Sequence, residues 1–145
     1  MRKIRGFSVI ELLVVIGILS VLLAIGIPFY INYRPRIILN RAAAQLRGDL
    51  MMNRQNAVTT SDPYLFQCDP NSDSYELYRG PTSLGERSLP SGIRINRDNS
   101  LPDTLRFFPN GLTNGQGRLF LYHPGSKDTI RVIVTRAGFV RYEQR

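Results

Sequence analysis

The residues best placed to do chemistry stand near the start of the chain, in the run Gly6-Phe7-Ser8-Val9-Ile10-Glu11, after which no charge occurs from Leu12 to Ile27. Glu11 is thus an acid at the mouth of an apolar segment. A carboxylate deep in hydrocarbon costs roughly 2.5 to 3.5 kcal/mol on insertion scales, so it calls for a positive partner. A cut after Gly6 would supply one, because it leaves a new ammonium group on Phe7. The chemistry on offer is charge neutralisation in a low dielectric rather than bond making.

Other reactive side chains are sparse. Cys68 and His123 are each the single residue of their type, so no intramolecular disulfide can form and no Cys/His zinc set can be built. A buried, inert thiol is expected for Cys68. No nucleophile paired with a base, no carboxylate pair and no phosphate-cradling glycine loop can be picked out, so neither an enzyme nor a metal or other cofactor is expected. Asp69-x-Asn71-x-Asp73 has the oxygen spacing that opens an EF-hand loop. Ser74 stands where that loop needs glycine and Gly80 where it needs a bidentate acid, so a polar turn between strands explains it better.

Charge is the remaining signal. The net charge is +8, and without Arg2, Lys3 and Arg5 it falls to +5, 16 basic residues against 11 acidic. From Arg118 onward Lys127, Arg131, Arg136, Arg141 and Arg145 join it against Asp128 and Glu143 only. A solvated basic surface is the plain reading. The sharper one is a patch of Arg131, Arg136, Arg141 and Arg145 that neutralises the phosphates of DNA.

The elements that must position these residues follow from the pattern. A chain of 145 residues allows one membrane segment and one domain of about 110 residues. Phe7 to Ile31, at about 1.5 Å per residue, is long enough to cross a bilayer. The basic residues ahead of it hold that end in the cytoplasm, so the rest is exported. A secretory signal cleaved near Ala24-Ile25-Gly26 and a plain anchor are the competing readings. The first is disfavoured by the length of the apolar run, and both by the acid within it. Pro28 and Pro35 each remove an amide donor, which predicts an interrupted or bent helix of about 50 residues. From Arg36 the helical period returns, with Leu39, Ala42, Ala43, Leu46, Leu50 and Ala57 on one face and Arg36, Arg47 and Arg54 on another. The cluster Thr59-Thr60-Ser61-Asp62-Pro63 ends it.

After Pro63 come short β-rich runs between turns: Tyr64 to Cys68, Tyr75 to Arg79, Ile93 to Asn96, Leu105 to Phe108, Arg118 to Tyr122, Thr129 to Thr135 and Phe139 to Tyr142. They predict a sheet of hairpins, its last pair joined through Arg136-Ala137-Gly138, with the amphipathic stripe across one face. The expected fold is α+β, a long N-terminal helix packed on an antiparallel β-sheet domain. Its expected parts are a leader at 1–6, a transmembrane and assembly helix at 7–31, an amphipathic continuation at 32–62 and a β-rich globular domain at 63–145.

These residues resemble the type IV pilin-like proteins, and more narrowly the GspH/FimT group of minor pilins and type II secretion pseudopilins. In that resemblance Gly6 is the last residue of the prepilin leader, Phe7 the first mature residue, cut free and N-methylated, Glu11 the assembly glutamate and Pro28 the helix-bending proline. Ala43 to Val58, Phe107-Phe108-Pro109-Asn110-Gly111 and Ile130 to Arg141 resemble the group's helix end, strand-turn motif and closing hairpin. The resemblance implies a bacterial inner-membrane protein with an exported C-terminal domain, processed by a prepilin peptidase. An assembly platform then draws it, with other pilin or pseudopilin subunits, into a type IV pilus or a type II secretion pseudopilus, where it helps initiate or cap assembly. The basic ending suits a filament outside the cell. The alternative is a FimT-like DNA-binding minor pilin for natural transformation. The DNA-binding members share a Gly-Arg-x-Arg ending, where this chain has Gly138-Phe139-Val140-Arg141, with Phe139 in place of the first arginine.

Overall fold

The computed structural model describes residues 8–126 and 128–144 and divides into two units, Met1–Arg34 and Pro35–Arg145. Gly6, Phe7 and Arg145 lie outside the described residues.

One helix, α1, runs from Val9 to Thr60. It starts at Ser8, whose carbonyl accepts from the amides of Glu11 at 3.1 Å and Leu12 at 3.2 Å, the role of an N-cap residue. The interruption expected at Pro28 and Pro35 is not found, for the chain stays helical through both. Each proline removes one donor from the ladder, and the bonds on either side carry the helix across. The end comes at Ser61, which takes the left-handed conformation at φ 58°, two residues before Pro63.

In the first unit the segment Val9–Pro28 is long and apolar enough to cross a membrane, and none of it is buried. In the second, all six residues of the periodic stripe, Leu39, Ala42, Ala43, Leu46, Leu50 and Ala57, are at most 1% exposed.

The strands are β1 (Tyr64–Gln67), β2 (Ser74–Arg79), β3 (Thr82–Ser88), β4 (Arg94–Arg97), β5 (Thr104–Phe107), β6 (Gly117–Tyr122), β7 (Thr129–Val134) and β8 (Val140–Gln144). They form two four-stranded antiparallel sheets, β3-β2-β1-β5 and β4-β6-β7-β8, rather than the single sheet of hairpins expected. The split arises because β1 pairs with β5 across a long connection, while β4 leaves to pair with β6. Sequence reading also passed over β3. Its seven residues are all exposed, so no alternation marks them.

Both inner faces close on the helix stripe through Phe66, Leu77, Ile95, Leu105, Leu121 and Val132, all buried. Polar ties hold the helix to the sheet that contains β1 and β2. Asn53, 2% exposed, donates through Nδ2 to the Leu65 carbonyl at 3.3 Å. The Tyr75 hydroxyl donates to Asp49 Oδ2 at 2.5 Å, and burial together with this bond pushes its pKa well above the usual phenol range. Cys68 is a buried free thiol, its pKa pushed up to about 11 by burial.

Candidate functional site

Glu11 sits in the first turn of α1 and is exposed. An anion there is favoured by the amides and dipole at a helix N-terminus. Around and beyond it the helix presents bare apolar side chains, from Val9 at 75% exposed to Ile27 at 54%. Pro28 closes this stretch inside the continuous helix. The arrangement is an apolar rod with one carboxylate at its end, able to bind by burial along its length and by charge at one point. The proposed counter-charge on Phe7 falls outside the described residues, as does the cleavage position at Gly6.

Of the four arginines proposed for a phosphate patch, two share a face. Ile130, Val132 and Val134 of β7 point into the core, so Arg131 points out, and the register puts Glu143 of β8 beside Arg131 and Arg141 beside Ile133. Register also brings in Arg118 of β6, opposite Ile133, which sequence reading counted as charge but did not place in the patch. The pairing order of strands, absent from the linear pattern, was the missing signal. Arg131 Nε is buried and, among the described residues, has no hydrogen-bond partner, so it is not itself presented on this face. Arg141 and Arg118 are held loosely, at 3.6 Å from Glu143 and 3.9 Å from Asp98. Arg136 is exposed in the turn between β7 and β8, and its carbonyl accepts from the Thr113 amide at 3.0 Å. Arg145 lies outside the described residues.

A second group of arginines lies on α1. Arg54 Nε donates to the Gly111 carbonyl at 3.1 Å, and its guanidinium stands 5.1 Å from the centre of the Phe139 ring. One turn pair earlier, Arg47 stands 5.8 Å from the centre of the Tyr142 ring. Gly138 makes this approach possible. It adopts φ 75°, and a Cβ there would strike the Gly111 carbonyl oxygen and the Arg54 side chain.

The Asp69–Asp73 turn behaves as a structural corner. Asn71, at φ 62°, accepts from the Tyr122 hydroxyl through Oδ1 and from Arg94 Nη1 through its carbonyl, both at 2.7 Å, tying the turn to the other sheet. Among the described residues no group of three His, Cys, Asp or Glu side chains could hold a metal ion.

Comparison with known proteins gives concordant matches. Residues 42–138 match the family model described as type II transport protein GspH, and residues 1–27 match the prokaryotic N-terminal methylation motif. The chain is similar to prepilin peptidase-dependent protein D of Escherichia coli (strain K12), 67% identical over 33 residues, 23% of each chain. It is similar to a fimbrial protein of Pseudomonas aeruginosa, 27% identical over 70% of this chain and 66% of the relative. The chain thus spans less than a quarter of the first of these relatives and about two thirds of the second. Its fold is similar to the minor pseudopilin EpsH of the Vibrio cholerae type 2 secretion system, at TM-score 0.59 and 13% identity over 72% of this chain and 95% of that one. It is similar also to the type IV minor pilin FimU of Pseudomonas aeruginosa, at TM-score 0.64 and 17% identity over 74% and 90%.

Proposed function

The chain belongs to the family of type II transport protein GspH, and from that premise we propose that it is a minor pilin-type subunit that helps initiate or cap a type IV pilus or a type II secretion pseudopilus. One observation carries the reading. Val9–Pro28 is a wholly unburied apolar helix with a single acid in its first turn, joined to a methylation motif. Such a helix is stable in a bilayer or in a bundle of its own kind, and burial at roughly 25 cal/mol per Å2 of apolar surface drives it into either. A prepilin peptidase cuts between Gly6 and Phe7, and Phe7 is N-methylated. The subunit waits in the inner membrane with its C-terminal domain exported, and an assembly platform draws it into the filament. Glu11 sets the register by neutralising the Phe7 ammonium of its own or a neighbouring subunit, and Pro28 bends the helix to fit the bundle. The role is structural rather than catalytic.

Glu11→Gln tests this directly. The variant is expected to be inserted and cleaved normally and to be depleted from purified filaments. Wild-type incorporation would refute the role given to Glu11.

A second reading has its own observation. Arg118, Arg131 and Arg141 share the outer face of β6-β7-β8. That face suits the backbone phosphates of DNA, which need charge and no base contacts. Its affinity is expected to fall steeply with salt and on Arg131→Gln. Absence of binding at about 0.02 M salt, where the electrostatic contribution is strongest, would end it.

A further inference from the structure

Along one flank of α1 the residues Arg47, Met51, Arg54 and Val58 recur at helical spacing and form a single stripe. Tyr142 and Phe139 lie over its two arginines. The stripe is not closed by this. Met51 is 45% exposed, Val58 50% and Phe139 63%, and Leu112, next to Gly111, is 44% exposed. Gly111 itself approaches Val58, whose Cγ2 would lie 3.6 Å from a Cβ placed there. The apolar side chains and the two guanidinium groups therefore form one seam between the helix and the turns before β6 and β8.

Among the described residues neither Arg47 nor Arg54 has a carboxylate in ion-pairing range. Asp49, the acid nearest to Arg47 in the chain, is already the acceptor of the Tyr75 hydroxyl. The seam thus combines uncompensated positive charge with Met and aromatic surface. Arg, Met and aromatic residues are the types enriched in the cores of protein interfaces. The Arg54 guanidinium is held in place by the Gly111 carbonyl and the Phe139 ring, which lowers the entropy lost when a partner docks.

We propose that this seam is the contact for a neighbouring subunit of the same assembly, one that presents a carboxylate beside an apolar side chain. The proposal rests on the assembly reading above. The carboxylate meets the free N–H groups of Arg54 in charge-assisted hydrogen bonds, Arg47 adds positive charge two turns away, and the apolar side chain covers Met51, Val58 and the outer face of Phe139. Nucleic acid fits less well. One face of Phe139 is already taken by Arg54, so a base finds a half-occupied platform, and Met51, Val58 and Leu112 offer nothing to a phosphate.

The test is site-specific photo-crosslinking of the full chain in cells that make the native assembly. The photoreactive side chain replaces Met51 in one variant and Leu112 in another, with Leu84 of β3, 49% exposed, as the control position. The expected result is an adduct with the same pilin-type subunit, identified by mass spectrometry, from Met51 and Leu112 and not from Leu84. Adding Val58→Asp, which sets a carboxylate against the partner's own, should cut its yield about tenfold, the effect of roughly 1.4 kcal/mol. Equal adducts at all three positions, adducts with nucleic acid, or no adduct from a chain still cleaved and incorporated would each overturn the seam and leave the assembly reading standing. A chain never recovered with any pilin-type subunit would overturn both.

Discussion

The two halves of α1 share a backbone conformation and differ in how their apolar residues are spaced. From Val9 to Pro28 they run without a period, and every face is bare. From Leu39 to Ala57 they recur along one stripe that is almost wholly covered by the two sheets. An unbroken apolar surface cannot be satisfied by one small domain and must be covered by lipid or by other chains. A striped surface needs only its own chain. Helix propensity is indifferent to this distinction, and spacing decides it.

Leu50→Ala should affect stability most. Leu50 is fully buried, so truncation is expected to cost about 2 to 5 kcal/mol in thermal or chemical unfolding of the detergent-solubilised chain, whereas Leu19→Ala in the bare half should leave that transition in place. A comparable loss from Leu19→Ala would break the comparison.

Gly138→Ala comes next. Strain at φ 75° and the collision with the Gly111 carbonyl are expected to cost about 3 kcal/mol in the same measurement, and to release Arg54 from Phe139.

Alkaline titration sharpens the contrast from the covered side. The Cys68 thiol is raised from 9.0 to about 11 in the folded state, so its contribution is fully present below pH 9 and is lost as pH rises towards 11. The loss is on the order of 2 kcal/mol, and Cys68→Ala should flatten that part of the decline in melting temperature.

Gly17→Ala is the smallest effect. A Cβ there meets nothing within 4 Å, so the domain's melting midpoint should not move. A destabilising shift would break the comparison, since added helix propensity can only act the other way.

The covered half of the helix was legible residue by residue, because a 3.6-residue period is a direct image of one buried face. Most strands were legible from alternation and turn residues. β3 was not, since an edge strand exposed along its whole length carries no alternation. The division into two sheets was hidden too, because pairing β1 with β5 and β4 with β6 joins segments far apart in the chain. Of the site, Glu11 stood out because an acid in an apolar run has few explanations. Of the arginines, the nearness of Arg118 to Arg131 and Arg141 was not legible, since it arises only through register.

Local composition alone thus determined that this protein has an apolar N-terminal helix with one acid, an amphipathic continuation and a β-rich remainder, because each is written in neighbouring residues. Only the tertiary structure decided which strands share a sheet, which arginines share a face, and that Phe139 and Tyr142 come to rest over Arg54 and Arg47. Those outcomes depend on which distant surfaces exclude water together, and no window of adjacent residues contains that information.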